Sequence, residues 1–177
     1  MTIVGVIGFL LFVLGDVNDA YIRKRALKPC FSIGLFLLAI ATACRFDTVK
    51  LQPAWLADSA VFAFFLFKSL YGSFSNSEAY ADKPETREVT SEGLYALCRH
   101  PGVLFFCGMY ICLHFGIGLP WIDTILYIVL NILLAFFEDR FFFPEFLDGY
   151  DQYRENVPFL IPTKESLKKS RRKMDNK

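Results

Sequence analysis

The chain is short of the residues that build most soluble catalytic sites. It has two histidines, His100 and His114, in 177 residues, too few for a histidine-built metal centre. His114 would lie about 21 Å from His100 along a helix axis, too far to share a site. Five cysteines, at 30, 44, 98, 107 and 112, are odd in number and form no CxxC pair. They suggest neither a disulfide framework nor a zinc site, and read as buried thiols. No phosphate-cradling loop and no G-x-S-x-G occurs, and the one GxG, Gly116-Ile117-Gly118, has Trp121 where a third glycine would fall; the usual nucleotide fingerprints are therefore missing. Charge is scarce as well, at 21% of residues and a net +1, while 54% are hydrophobic. That balance excludes a disordered or low-complexity chain.

What is abundant is apolar and aromatic. Mean hydropathy is +0.37, and twenty phenylalanines occur in runs such as Phe64-Phe65-Leu66-Phe67 that have no polar face. One small soluble core cannot hide so many, so the expected solvent is lipid. A crossing helix needs about 20 apolar residues to pass a hydrocarbon core of roughly 30 Å. Five stretches come close: Ile3 to Ala20, which carries Asp16, Asn18 and Asp19 near its end; the stretch between Lys28 and Arg45, opening at Pro29; Ala54 to Gly72, with Asp58 and Lys68 near its ends; Pro101 to Phe115; and Pro120 to Phe137. The first lacks the basic start and cleavage site of a secretory signal and reads as a retained helix. Residues 73–92 are polar and carry Pro84, a loop outside the core. Only four residues separate the last two stretches, which forces an antiparallel hairpin and returns Arg99-His100 and Glu138-Asp139 to one membrane face. The expected fold is an all-α, polytopic membrane helical bundle of about five transmembrane helices, with a four-span version lacking the first helix as the alternative.

Basic residues orient the bundle. With the N-terminus outside, the inside segments hold four Lys and Arg between 23 and 28, three between 83 and 99, and nine from Arg140 onward, against Arg45 and Lys50 outside. Cytoplasmic loops are enriched in these residues, so an outside N-terminus and a cytoplasmic C-terminal tail are expected. The membrane domain should span 1–162, with residues 138–162 on the membrane surface and 163–177 a basic, frayed tail drawn to anionic lipid. Nucleic acid is not an expected partner, because no aromatics interleave the basic run.

The residues able to carry chemistry gather at the cytoplasmic face. Residues 89–101 read VTSEGLYALCRHP; after the fifth stretch come Glu138-Asp139, Phe146, Tyr150, Tyr153 and the segment VPFLIP at 157–162. A bland account is available: Arg99 snorkels, Pro101 starts a helix, and the two acids face water. The spacing also resembles the isoprenylcysteine carboxyl methyltransferase and phospholipid methyltransferase group of integral membrane enzymes. The resemblance covers residues 89–162, the motif-bearing core; residues 1–88 contribute only hydrophobic spans to it. It implies a membrane methyltransferase that binds S-adenosylmethionine and acts on a lipidic or prenylated acceptor, with carboxyl methylation of an isoprenylcysteine-like substrate favoured. By the match, Arg99 and Glu138 are the catalytic positions. Tyr95, His100, Pro101, Asp139, Tyr150 and Tyr153 are the cofactor-binding ones, and no metal is involved. The family usually has an aromatic where Val103 stands and a Glu where Asp139 stands. Chemically, Arg99 could grip a cofactor carboxylate bidentately and Glu138 could accept from ribose hydroxyls.

Two rivals share parts of this pattern. A membrane sterol or enone reductase using NADPH resembles the Arg-His-Pro block and acidic tail, but usually has Asn and Trp where this chain has Gly102 and Tyr153. A non-catalytic membrane subunit would need Asp58, Lys68 and His114 to line a pathway.

Overall fold

The computed structural model describes residues 1–71, 87–89 and 91–168. Five long helices dominate: α1 (Thr2–Val17), α2 (Cys30–Ala43), α3 (Pro53–Tyr71), α4 (Pro101–Ile117) and α5 (Trp121–Phe137). Their bounds fall close to the five apolar stretches, since the apolar runs are bounded by residues that suit helix ends. Pro29 and Pro120 stand at the N-caps of α2 and α5, Pro101 opens α4, and Gly118 takes a left-handed conformation (φ 71°) to end α4. Proline is tolerated there because the first N–H groups of a helix are unpaired anyway, and glycine because it lacks the Cβ penalty.

Four helical stretches are long and apolar enough to cross a membrane: Thr2–Ile22, Arg25–Ala43, Pro53–Leu70 and Trp121–Glu145. The first and last are lengthened by π-helical turns, Asn18–Ile22 and Glu138–Phe142, that continue α1 and α5. At 17 residues α4 is shorter, although it packs along the whole of α3. The fold is therefore all-α in its spans. Beyond them come short elements: β1 (Arg87–Glu88) pairs in parallel with β2 (Leu147–Asp148), flanked by α6 (Phe143–Phe146) and α7 (Tyr150–Asn156).

Phe9, Phe12, Leu38, Phe106, Tyr110, Ile117, Leu119, Tyr127 and Leu134 form the core between α1, α2, α4 and α5. Around it a belt of large apolar side chains faces outward, including Ile3 at 74% exposed, Ile122 at 69% and Phe36 at 66%. A water-facing surface of that kind would be unstable, whereas acyl chains solvate it. Helices α1 and α2 meet backbone to backbone: a Cβ on Gly8 would stand 2.8 Å from the Gly34 carbonyl oxygen, and one on Gly34 2.6 Å from that of Gly8. Small residues permit such close approach in lipid, where burial of apolar surface gives no drive to associate.

The bundle has two ends. At the far end the α2–α3 loop is tied to the α4–α5 turn by Asp47 N–H to the Ile117 carbonyl and Gln52 N–H to the Gly116 carbonyl. Arg45 and the fully buried Asp123 form an ion pair of 2.9 Å there, joined by the Thr2 hydroxyl, which donates to Asp123 at 2.5 Å. The other end, where α4 starts and α5 finishes, collects the motif residues. The sequence reading treats everything from Lys164 as frayed; instead 164–168 form a helical turn. Thr163 and Ser166 cap it through reciprocal bonds of 3.0 and 3.2 Å, which leave Ser166 only 3% exposed. Of the expected loop at 73–92, residues 73–86 and 90 lie outside the described residues, as does the basic run from 169.

Candidate active site

Arg99 ends the segment before α4, and Asp139 is the second residue of the π turn after α5. The hairpin brings them together. Arg99 Nε donates to Asp139 Oδ1 at 2.7 Å and Nη2 donates to Oδ2 at 3.1 Å, a bidentate pair with each side chain only 10% exposed. Arg99 Nη1 donates to the carbonyls of Arg154 (2.7 Å) and Val157 (2.8 Å), and the guanidinium lies 5.6 Å from the Phe159 ring centroid. Four of its five N–H groups are thus spent inside the protein. The fork expected for a cofactor carboxylate is occupied by Asp139, and one Nη2 N–H remains. Snorkelling is not what Arg99 does.

Asp139 is the hub. Besides Arg99 it accepts from the Tyr150 hydroxyl at 2.6 Å, and its Oδ1 lies 3.4 Å from His100 Nε2. It is 7% exposed, so the two acids do not both face water. His100 caps the start of α4 with its ring stacked on Phe143 (5.7 Å) and edge-on to Phe159 (5.0 Å). Its Nδ1 stands 3.9 Å from Glu138 Oε2, in a side chain 20% exposed. The backbone joins in: Arg99 N–H bonds the Pro158 carbonyl and His100 N–H the Phe159 carbonyl, at 2.9 and 3.2 Å. The VPFLIP segment is therefore strapped along residues 99–100, and Pro101 is buried at the head of α4.

A second chain of bonds holds the tyrosines. Tyr153 donates to the Tyr95 carbonyl at 2.7 Å, and the Tyr95 hydroxyl donates to the Ser69 carbonyl at 2.8 Å. This ties α7 to the turn at Gly93–Ala96 and that turn to the end of α3. Burial, together with the hydrogen bond and charge of Asp139, pushes the Tyr150 hydroxyl well above its ordinary pKa. Burial and the nearby Tyr95 do the same for Tyr153. Both remain protonated donors across the physiological range. Burial pushes the Cys98 thiol up to about 11, so it is no thiolate nucleophile.

Between α7 and the 89–96 segment lies a cavity of about 310 Å³, lined by Val89, Ser91, Ala96, Gly149, Gln152, Tyr153, Asn156 and Val157. Its size falls at the lower end of small-molecule sites. Of the eight positions singled out by sequence, only Tyr153 lines it; Arg99, His100, Asp139 and Tyr150 form the knot beside it, and Glu138 stands on the His100 side.

Three participants escaped the sequence reading. Phe143 and Phe159 clamp His100, a role that nothing in their spacing announces. The third is Asp16, from a segment assigned only hydrophobic spans: its carboxyl meets that of Glu138. A carboxylate in an otherwise apolar run was the available signal. The polar residues of the pathway alternative do not gather. Asp58 and Lys68 are both exposed, about 15 Å apart along α3, while His114 Nδ1 bonds the Leu119 carbonyl at 2.6 Å and its ring stacks on Trp121. Among the described residues no group of His, Cys, Asp or Glu is arranged to hold a metal ion.

Compared with protein-family models, curated proteins and solved structures, the chain matches none of them.

Proposed function

We propose that the chain is an integral membrane methyltransferase that uses S-adenosylmethionine and acts on a lipidic or prenylated acceptor at the cytoplasmic membrane surface. Carboxyl methylation of an isoprenylcysteine-like substrate is the first choice. The observation that carries this reading is the Arg99–Asp139 pair, which joins the two blocks of the methyltransferase-like pattern across the α4–α5 hairpin, beside a cavity. The excess of Lys and Arg at that end favours a cytoplasmic orientation for it.

The donor set suits such a cofactor in most of its parts. The amides of Gln152 and Asn156 on the cavity wall can meet the edge of a purine, and the Glu138 carboxylate can accept from hydroxyl or amino groups. Arg99 keeps one N–H for a carboxylate oxygen, so its main duty is to hold the knot. The cofactor supplies a methyl group on a sulfonium whose charge is lost on transfer, which aromatic rings and a carboxylate accommodate. The protein orients the reactants and excludes water. A carboxylate acceptor needs no base, whereas an amine or phenol would give its proton to Glu138 or His100. Phe136, Phe137 and Phe141, all exposed around the end of α5, offer an apolar approach from the bilayer.

Detergent-purified protein incubated with methyl-labelled cofactor and a total membrane extract should transfer label, to base-labile esters if the acceptor is a carboxyl group and to phospholipid if it is an amine headgroup. S-adenosylmethionine at 100 times its dissociation constant should add about 2.7 kcal/mol of stability. Stabilisation by NADPH in its place would overturn the reading in favour of a reductase.

A further inference from the structure

The turn between α1 and α2 carries charge that the protein does not neutralise. At the far end of the bundle each base has an acid of its own: Arg45 pairs with Asp123 at 2.9 Å and Lys50 with Asp47 at 3.7 Å. At the motif end Arg23, Lys24, Arg25 and Lys28 are all exposed, and none of them pairs with an acid among the described residues. The acid nearest them in sequence, Asp19, is exposed and met by the Asn18 side-chain amide at 3.5 Å. Arg140, just before Phe141 in the π turn of α5, is exposed and without an acid as well.

The level of these bases in the bilayer follows from the spans. The stretch Thr2–Ile22 ends where the cluster starts, and Arg25–Ala43 begins within it. The four bases therefore lie at the level of the headgroups, on long stems that carry the charge outward. Tyr21 and Ile22, 56% and 39% exposed, stand beside them with apolar surface for the acyl boundary.

The turn is also built to hold its shape. Arg23 N–H bonds the Asn18 carbonyl at 2.6 Å, Lys24 N–H bonds Asn18 Oδ1 at 2.9 Å, and Lys28 N–H bonds the Arg25 carbonyl at 3.3 Å. The Tyr21 hydroxyl donates to the Phe141 carbonyl at 2.8 Å and fastens the turn to the π turn of α5. Arg23 has φ 56°, the one non-glycine residue with positive φ among the described residues. That left-handed conformation suits glycine and is unfavourable for a residue with a Cβ. Here it is occupied by an exposed guanidinium between two spans.

We propose that the α1–α2 turn is a binding site for the phosphate headgroup of an anionic phospholipid of the surrounding bilayer. The phosphodiester oxygens suit the planar forks of Arg23 and Arg25, with Lys24 and Lys28 as point charges beside them. A soluble anion lacks the acyl chains that Tyr21 and Ile22 can cover, and a zwitterionic headgroup brings a cation that opposes the attraction. Because Tyr21 joins the two turns, a lipid held there braces the end of the bundle where the candidate site lies, whatever that site catalyses.

The test is thermal unfolding of the full-length protein in neutral-detergent micelles doped with phosphatidylglycerol or phosphatidylcholine, or supplemented with inorganic phosphate. Phosphatidylglycerol should raise the unfolding temperature, and the other two should not. The phosphatidylglycerol concentration giving half the shift should rise about five-fold for each base removed, in Arg23→Gly, Arg25→Gln and the pair Lys24→Gln with Lys28→Gln. The pair Lys164→Gln with Lys168→Gln, exposed bases outside the turn, should leave it in place. Arg23→Gly separates the site from the fold: glycine suits the left-handed position, so this variant should unfold in plain detergent at the wild-type temperature or above and yet bind the lipid more weakly. Unchanged midpoints in the turn variants, or equal weakening in the Lys164 and Lys168 pair, would overturn the proposal. So would an equal shift from phosphatidylcholine or from inorganic phosphate.

Discussion

Each end of the bundle carries one arginine–aspartate pair, and the two are put to different use. At the far end Arg45, one-third exposed, reaches over Asp123, which is fully buried and also held by Thr2. That pair clamps the starts of α1 and α5 to the end of α2. At the motif end Arg99 and Asp139 are equally buried, and everything around them is also bonded: two carbonyls, a tyrosine hydroxyl and an imidazole. The lesson is that an ion pair by itself says little about function. What marks the motif end is the surplus around the pair, namely a cavity, an imidazole with a carboxylate facing each nitrogen, and a second carboxyl brought from α1.

The comparison can be broken most decisively by removing each arginine. Arg99→Ala strands a buried carboxylate and releases the carbonyls of Arg154 and Val157; losing one partner of a buried pair costs about 3 to 5 kcal/mol. Methyl transfer should vanish with the ordering of residues 157–162. Arg99→Lys keeps the charge but not the fork and should be nearly as damaging. Arg45→Ala leaves Asp123 its Thr2 donor and should cost about 1 to 3 kcal/mol, seen in thermal unfolding, with turnover of the folded fraction unchanged. Equal loss of turnover in both alanine variants would erase the distinction between the ends.

Tyr153→Phe sharpens the account on a finer scale. It deletes the bond to the Tyr95 carbonyl while keeping the aromatic ring at the cavity, and should cost about 1 kcal/mol of stability. Because the hydroxyl is committed to the Tyr95 carbonyl, cofactor affinity should change less than stability does. A larger fall in affinity than in stability would mean that the hydroxyl itself meets the ligand.

Much of this was legible in the sequence because membrane spans write themselves as apolar runs. Pro53–Tyr71 lies within one residue of the expected third span at both ends, and the short turn after α4 was enough to place Arg99 beside Glu138-Asp139. The illegible part is long-range and geometric. The partner of Arg99 depends on how closely the carbonyls of Arg154 and Val157 approach, which no spacing encodes. Asp16 and Glu138 stand far apart in the chain and come near each other only because α1 and α5 pack side by side. The helical turn at 164–168 was hidden by charge: its lysines suggest a solvated end, while Thr163 and Ser166 supply a cap that the same reading passed over.

The most direct test of the central claim is the affinity for S-adenosylmethionine of detergent-purified wild type, Arg45→Ala and Glu138→Gln, measured by titration calorimetry. The account predicts that wild type and Arg45→Ala bind alike. It predicts that Glu138→Gln, which keeps size but loses a charge-assisted acceptor, binds about 10- to 150-fold more weakly, the equivalent of roughly 1.5 to 3 kcal/mol. Wild-type affinity in Glu138→Gln, or no binding to the folded wild-type protein, would contradict it.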